Sequence, residues 1–88
     1  MSRSQFPLND DILQRAIGNV IRRQRELMNK TIDEVAWGVE TDTLHLSKIE
    51  RGEVEVYSYL FTKLQLYLDF TFNDYLEEYQ RMLDENTP

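Results

Sequence analysis

The chain has 88 residues, of which 41% are hydrophobic and 30% are charged, and its net charge is −6. This size and balance suit one small globular domain, so residues 1–88 are predicted to form a single domain. The sequence has no cysteine and one histidine. Disulfides and thiolate metal sites are therefore excluded, and neither a metal nor another cofactor is expected.

The sequence pattern offers no membrane span and no export signal. No run of about 18 apolar residues occurs, which is the length a membrane helix needs. The first residues, Met1 to Pro7, lack the apolar core of a signal peptide. We therefore expect a cytoplasmic protein that does not associate with membranes.

The acidic charge is unevenly distributed along the chain. Residues 1–30 hold six Lys and Arg against three Asp and Glu. Residues 31–56 hold two against seven, and residues 57–88 hold two against six. A basic face, which binding to nucleic acid would require, is therefore expected on the first helix.

Helical spacing of apolar residues predicts a first helix from Asn9 or Asp10 to Met28. Asn9, Asp10 and Asp11 suit its cap and first turn, and Asn29 can adopt the left-handed conformation that ends a helix. The apolar positions expected to face the core are Leu13, Ala16, Ile17, Val20, Ile21, Leu27 and Met28.

A capping box predicts the start of a short second helix. Thr31 stands at the cap and Glu34 follows three residues later, as such a box requires. The helix is expected to run from Ile32 to Val39. Glu40 and Thr41 then form a turn.

Asp42 is expected to cap a third helix, from Thr43 to about Arg51, which Gly52 ends. Residues 53–56 form a linker. A strand over Val54 to Tyr59 is an alternative for this part of the chain, because Val and Tyr favour strands.

Two more helices are predicted in the remainder of the chain. A fourth, from about Tyr57 to Leu68, places Leu60, Phe61, Leu64 and Leu68 on one face. Phe70 and Phe72 are expected in a turn with Thr71. A fifth begins at Asn73 or Asp74 and reaches about Leu83, and its apolar positions are Leu76, Tyr79 and Leu83, with Tyr75 and Met82 beside them.

Aromatic residues are concentrated in this C-terminal half. Most are expected in the core, and the remainder on a dimer surface. The set is Tyr57, Tyr59, Phe61, Tyr67, Phe70, Phe72, Tyr75 and Tyr79.

Three segments in one ungapped frame carry a family resemblance. They are Ile17-Gly-Asn-Val-Ile-Arg-Arg-Gln-Arg-Glu26, Thr31-Ile-Asp-Glu-Val-Ala36 and Leu46-Ser-Lys-Ile-Glu-Arg-Gly52, followed by Leu60-Phe61, Leu64, Leu68 and Phe70. Together they resemble the Cro and lambda-repressor-like helix-turn-helix family. The resemblance implies an all-α, compact five-helix domain, with the bundle over residues 9–76 and a C-terminal helix extending to about residue 84.

The same resemblance implies a function. Members of this family are DNA-binding transcriptional regulators rather than enzymes, so double-stranded DNA is the expected partner. A homodimer would then bind a palindromic operator, as a repressor does.

The resemblance also assigns roles to scaffold residues. Ala36 is expected to be small because the second helix crosses the third there. Arg25 and Glu50 match a buried or half-buried ion pair between the first and third helices. Gly52 closes the third helix in the left-handed conformation.

In this family the N-terminal half of the third helix reads base edges in the major groove. The base-facing residues would be Thr43, Leu44 and Lys48, with His45 and Ser47 nearby. Thr41 lies beside the phosphates at the start of that helix. The phosphate contacts would come from Arg22, Arg23 and Arg51.

Several positions depart from the family pattern. Glu40 stands where the family has a turn glycine, and a left-handed conformation costs a non-glycine residue on the order of 1 kcal/mol. Ile32 and Glu53 replace residues that bind phosphate, and Leu44 stands near a base-reading position. Trp37 occupies a position that the family leaves exposed, although it could fold onto the first helix.

These departures support a second hypothesis of a different class. The acidic surface formed by residues 31–56 could bind a protein partner in place of DNA. The chain would then be an acidic helix-turn-helix interaction module, such as an antirepressor or an antitoxin.

Overall fold

The computed structural model describes residues 8–86, and within them the chain forms five α-helices and no strand. These are α1 (Asp10–Leu27), α2 (Ile32–Gly38), α3 (Thr43–Glu50), α4 (Ser58–Leu68) and α5 (Phe72–Asn86). The all-α, five-helix prediction is confirmed, and the alternative strand at residues 54–59 is wrong. The expectation about a signal peptide and the basic residue Arg3 lie outside the described residues.

Side-chain caps explain where the helices begin. The Asn9 carboxamide oxygen accepts from the Ile12 amide at 3.0 Å. Thr31 and Glu34 form the reciprocal capping box that the sequence predicts. The Asp42 carboxylate accepts from the amide of His45 at 2.7 Å. Each cap satisfies an amide that has no partner inside its helix.

Left-handed residues separate the helices. Asn29, Glu40 and Asp69 have φ of 59°, 63° and 58°, and Gly52 has φ of 74°. Glu40 therefore takes the strained conformation that the family pattern implies for the turn between α2 and α3.

The main core lies between α1, α2, α3 and α4. Buried side chains from all four helices and from Phe70 form it: Ile17, Val20, Ile21, Val35, Ala36, Val39, Leu46, Ile49, Leu60, Leu64, Leu68 and Phe70. Gly18 permits the closest helix crossing, because a Cβ there would lie 2.4 Å from the Ile49 carbonyl oxygen. This contact holds α3 directly against α1.

A second, smaller core joins α1 to α5. Ile12, Ala16 and Met82 are buried in it, and Tyr75, Tyr79 and Leu83 pack against them. α1 thus contacts α3, α4 and α5 and is the central helix of the bundle.

The fifth helix differs from its prediction in extent and in orientation. It begins at Phe72, because Thr71 and Asp74 form a capping pair, and it ends at Asn86. Leu76 was expected to face the core but is 42% exposed, whereas Glu78 is buried. The face of α5 that packs on α1 therefore includes Glu78 in place of Leu76, together with Met82 and the half-buried Tyr75, Tyr79 and Leu83.

Other apolar residues also lie outside the core. Leu27 and Met28, which were expected to face the core, are exposed at the C-terminal end of α1, whereas Ile12 in its first turn is buried. Most of the aromatic set belongs to the cores, as expected, because Phe70 is buried and four other rings pack against the cores: Phe61, Tyr67, Tyr75 and Tyr79. The remaining three, Tyr57, Tyr59 and Phe72, are exposed. These three rings lie near the N-termini of α4 and α5, where no other helix covers them.

Candidate nucleic-acid interface

α2, the Glu40–Asp42 turn and α3 form a helix-turn-helix. The turn is closed by the Thr41 amide, which donates to the Ala36 carbonyl at 2.9 Å. Ala36 itself is buried, which matches its expected role at the crossing of α2 and α3. The outer face of α3 is thereby held at the surface.

The residues predicted to read bases occupy that outer face to different degrees. Leu44 is 62% exposed and Thr43 is exposed, while Ser47, Lys48 and His45 are half-buried. The Thr43 hydroxyl donates to the Asp33 carboxylate at 2.6 Å, and the Ser47 hydroxyl accepts from Arg51. The N-terminal half of α3 therefore presents the apolar side chain of Leu44 and the hydroxyl and methyl groups of Thr43 to its surroundings.

Arg25 and Glu50 hold α3 against α1. The Arg25 Nε and Nη2 atoms donate to the two Glu50 carboxylate oxygens at 2.7 and 3.0 Å, and Nη1 donates to the Lys30 carbonyl. The Glu50 hydrogen bonds raise the pKa of Arg25. This one guanidinium connects α1, the turn that follows it and the end of α3.

The predicted phosphate-binding arginines do not share one face. Helical spacing puts the Arg22 backbone near Gly18, where α1 crosses α3, but its guanidinium donates to the Asn19 carboxamide oxygen at 3.2 Å. Arg23 bonds Glu78 of α5 at 3.2 Å. A continuous positive face that unites Arg22, Arg23, Lys48 and Arg51 is therefore not formed.

Arg51 is partly neutralised where it lies. Its guanidinium bonds Glu53 at 2.7 Å, and both side chains are about half exposed. The hydrogen bonds from Arg51 hold the pKa of Glu53 below its ordinary value. Glu53 therefore stays ionised beside the C-terminus of α3.

Comparison with solved structures shows what this arrangement is similar to. A crystal structure of the clp gene regulator ClgR from Corynebacterium glutamicum superposes with a TM-score of 0.76 at 29% identity, over 91% of this chain and 81% of that chain. A second ClgR crystal structure gives a TM-score of 0.71 at 31% identity, over 84% of this chain and 90% of that one. This chain belongs to the ClgR family of helix-turn-helix regulators.

Two other comparisons found no match: no protein-family model and no curated protein sequence matches the chain. The ClgR neighbours are gene regulators rather than enzymes. Within residues 8–86, no helix is long and apolar enough to cross a membrane, and no cluster of His, Asp or Glu could hold a metal ion.

The structure brings one further cation to the interface that the sequence analysis missed. A Cβ on Gly52 would lie 2.6 Å from Arg15 Cγ, so the Arg15 side chain packs beside the end of α3. Arg15 also bonds Asp11 at 3.1 Å. Its spacing of three and seven residues from Gly18 and Arg22 is the signal that could have revealed it.

Proposed function

We propose that the protein is a sequence-specific, DNA-binding transcriptional regulator that acts in the cytoplasm as a repressor of the Cro and lambda-repressor-like type. The observation that carries the proposal is the exposed N-terminal half of α3, held by a helix-turn-helix in a chain related to ClgR. In helix-turn-helix proteins this part of the second helix reads the major groove.

Each exposed group on this surface has a matching DNA group. The Lys48 ammonium is suited to donate to guanine O6 or N7, and the Thr43 methyl or Leu44 to contact a thymine methyl. Arg15, Arg22 and Arg51 are suited to phosphates, which fix register without reading sequence. Arg23 contributes mainly to holding α5 against α1, because its guanidinium donates a hydrogen bond to Glu78.

An exposed apolar stripe on α4 and α5 supports a homodimer. Leu66 is 81% exposed, Phe72 is 54% exposed and Leu76 is 42% exposed. Leu66 and Phe72 line one groove at the α4–α5 turn, and Leu76 follows one helical turn after Phe72. A homodimer formed through this stripe would carry two recognition helices, and a palindromic site presents its two half-sites about 34 Å apart.

Selection from a random duplex library, followed by fluorescence anisotropy at two salt concentrations, tests DNA binding. We expect a preferred site whose affinity falls as salt rises. Lys48→Gln should weaken binding to that site and relax its base preference by about 1–3 kcal/mol. Failure to bind any duplex at about 50 mM salt contradicts the proposal.

A second function is favoured by the Arg51–Glu53 pair and by the acidic segment around it. In that case the scaffold is a protein-interaction module, such as an antirepressor or an antitoxin, and the acidic surface takes the place of a DNA-binding face. Charge reversal at Glu53 and Glu55 would weaken the complex with the protein partner. A pull-down that recovers only nucleic acid counts against this function.

A further inference from the structure

Trp37 is the most exposed large apolar side chain among residues 8–86, at 86% of its possible area. It lies on α2, whose opposite face buries Val35, Ala36 and Val39 in the core. Large aromatic side chains that remain exposed on a folded protein are typical of binding surfaces, where a partner covers them. Trp37 does not fold onto α1, so the structure leaves its indole free for such a contact.

Trp37 forms one wall of an open groove, which we call the Trp37 groove. Its other lining residues are Gly38, Glu40, Thr41 and Asp42. Gly38 adds no side chain to it, and a Cβ there would lie 2.6 Å from the ring of Tyr67. An aromatic face therefore lies beside a turn that carries two carboxylates.

The charge around the Trp37 groove is negative. Glu40 and Asp42 line the groove, and Asp33 and Glu34 lie about one helical turn before Trp37 on α2. Of these four carboxylates, only Glu40 forms an ion pair within the described residues, with Lys63 at 2.9 Å. The other three carboxylates accept hydrogen bonds from neutral donors: the Thr43 hydroxyl, the Thr31 amide and the His45 amide. These hydrogen bonds satisfy the carboxylate oxygens but do not neutralise their negative charge.

We propose that the Trp37 groove binds a basic segment of a partner protein, with an Arg or Lys side chain stacked on the indole and bonded to Glu40 or Asp42. A guanidinium fits both walls, because it stacks on aromatic faces and donates in pairs to carboxylates. The same carboxylates repel the phosphates of DNA. A second copy of this chain would bring its own Trp37 groove, with the same negative charge, so charge complementarity favours a different, basic partner.

This interaction goes beyond DNA binding and does not depend on it. The probe is a peptide selected from random 12-residue peptides displayed on phage, with the full chain as the target. Fluorescence anisotropy of the labelled selected peptide measures its affinity. We expect enrichment of Arg and Lys near an apolar residue. Trp37→Ala should weaken binding by about tenfold or more, and Trp37→Phe by less, because phenylalanine keeps an aromatic face. Leu27→Ala is the matched control, since Leu27 is 73% exposed but lies at the end of α1, outside the Trp37 groove and outside the proposed dimer stripe.

The carboxylates are tested separately. Asp33→Asn and Asp42→Asn together remove two charges while keeping acceptors for Thr43 and for the α3 cap. This double variant should bind the basic peptide more weakly, whereas Glu77→Gln with Asp84→Asn on α5 should not. Equal melting temperatures for all variants would show that folding is unchanged.

Any of four outcomes would overturn the proposal. Selected peptides could lack basic residues or bind Trp37→Ala unchanged. Trp37→Ala could weaken a selected DNA duplex as much as the peptide, which would assign the indole to the DNA surface. Finally, Trp37→Ala could alter the mass in sedimentation, which would identify a second copy as the occupant. Because peptide and duplex are measured independently, failure of one function is distinguishable from failure of the other.

Discussion

Glu50 is a carboxylate at the end of α3 that is only 5% exposed, and Arg25 supplies both of its partners. A buried carboxylate is costly unless it is paired and fully hydrogen-bonded. The bidentate geometry meets this requirement. It also fixes the rotation of α3 about its own axis, and so determines which residues of α3 face outward.

Arg25→Ala should therefore destabilise the fold strongly. With Glu50 left buried and unpaired, the free energy of unfolding should fall by about 3–5 kcal/mol, as measured by urea denaturation at neutral pH. The double variant Arg25→Met, Glu50→Leu should be less destabilised, because it leaves no buried charge. Arg51→Ala is the control, since its partner Glu53 is half exposed and should not need it. An Arg25→Ala midpoint equal to that of the wild type would contradict this view of the pair.

At the scale of the helices, α5 is docked on α1 by a second paired carboxylate. Glu78 is 4% exposed and bonds Arg81, Asn19 and Arg23. These partners, Arg81 first, lower the pKa of Glu78 to about 2. The small apolar core of Ile12, Ala16 and Met82 lies on the same contact.

The stability of this contact should depend on pH in the acidic range. The folded-state pKa of Glu78 lies below its ordinary value of 4.5, so its contribution is complete above pH 4.5 and is lost as the pH falls towards about 2. Glu78→Gln should therefore lose about 2 kcal/mol at pH 7, a figure reduced for the half-exposed arginines, and progressively less below pH 4.5.

Urea denaturation of the wild type and of Glu78→Gln at several pH values measures this difference. Glu77→Gln is the matched control, because Glu77 is exposed on the same helix and bonds only Asn73 among the described side chains. A gap between wild type and Glu78→Gln that stays constant from pH 7 to pH 2 would refute the assigned pKa.

The helix boundaries could be predicted from the sequence because caps are local. Asn9, Thr31 and Asp42 each bond an amide three residues later, so the signal lies within one turn. The burial of Glu78 could not be predicted in this way. Two of its partners, Asn19 and Arg23, lie more than 50 residues away in the chain, and hydrophobicity alone favours Leu76 for the buried face.

The candidate site shows the same division. The sequence located α3 and its exposed residues, because the surrounding scaffold positions match a known frame. It offered no reason to distinguish Arg22 from Arg23 as phosphate contacts. Adjacent residues on a helix point about 100° apart, and only the fold shows which of them meets α5. Arg15 was overlooked because its neighbour in space, Gly52, is distant in sequence.

For the molecule as a whole, the proposed dimer uses the stripe of Leu66, Phe72 and Leu76, on the α4–α5 surface. Leu66→Lys should shift the protein towards monomer in sedimentation velocity, since it places a charge in an apolar contact. Its effect on folding should be small because Leu66 is 81% exposed. Leu27→Lys is the control, because Leu27 is 73% exposed at the end of α1. Equal sedimentation of all three proteins would place the dimer contact elsewhere.

The net charge of −6 makes long-range attraction to DNA weak, so the proposed binding must come from a few cations beside α3. Among the described residues, the candidate cations on or near that side are Arg15, Arg22, Lys48 and Arg51. Glu53 opposes two of them, because it bonds Arg51 and is close enough to Lys48 for that charge to lower its pKa.

Glu53→Gln should therefore strengthen DNA binding. The substitution frees the Arg51 guanidinium for a phosphate and removes a charge that repels the duplex. The slope of log affinity against log salt should steepen by about one for each protomer bound. Glu77→Gln changes the net charge equally but lies on α5, and it should leave both affinity and slope nearly unchanged. If the two variants bind a selected duplex alike, the effect is one of total charge, and Arg51 does not contact phosphate. If Glu53→Gln instead lowers affinity, the Arg51–Glu53 pair positions the arginine for DNA rather than withholding it.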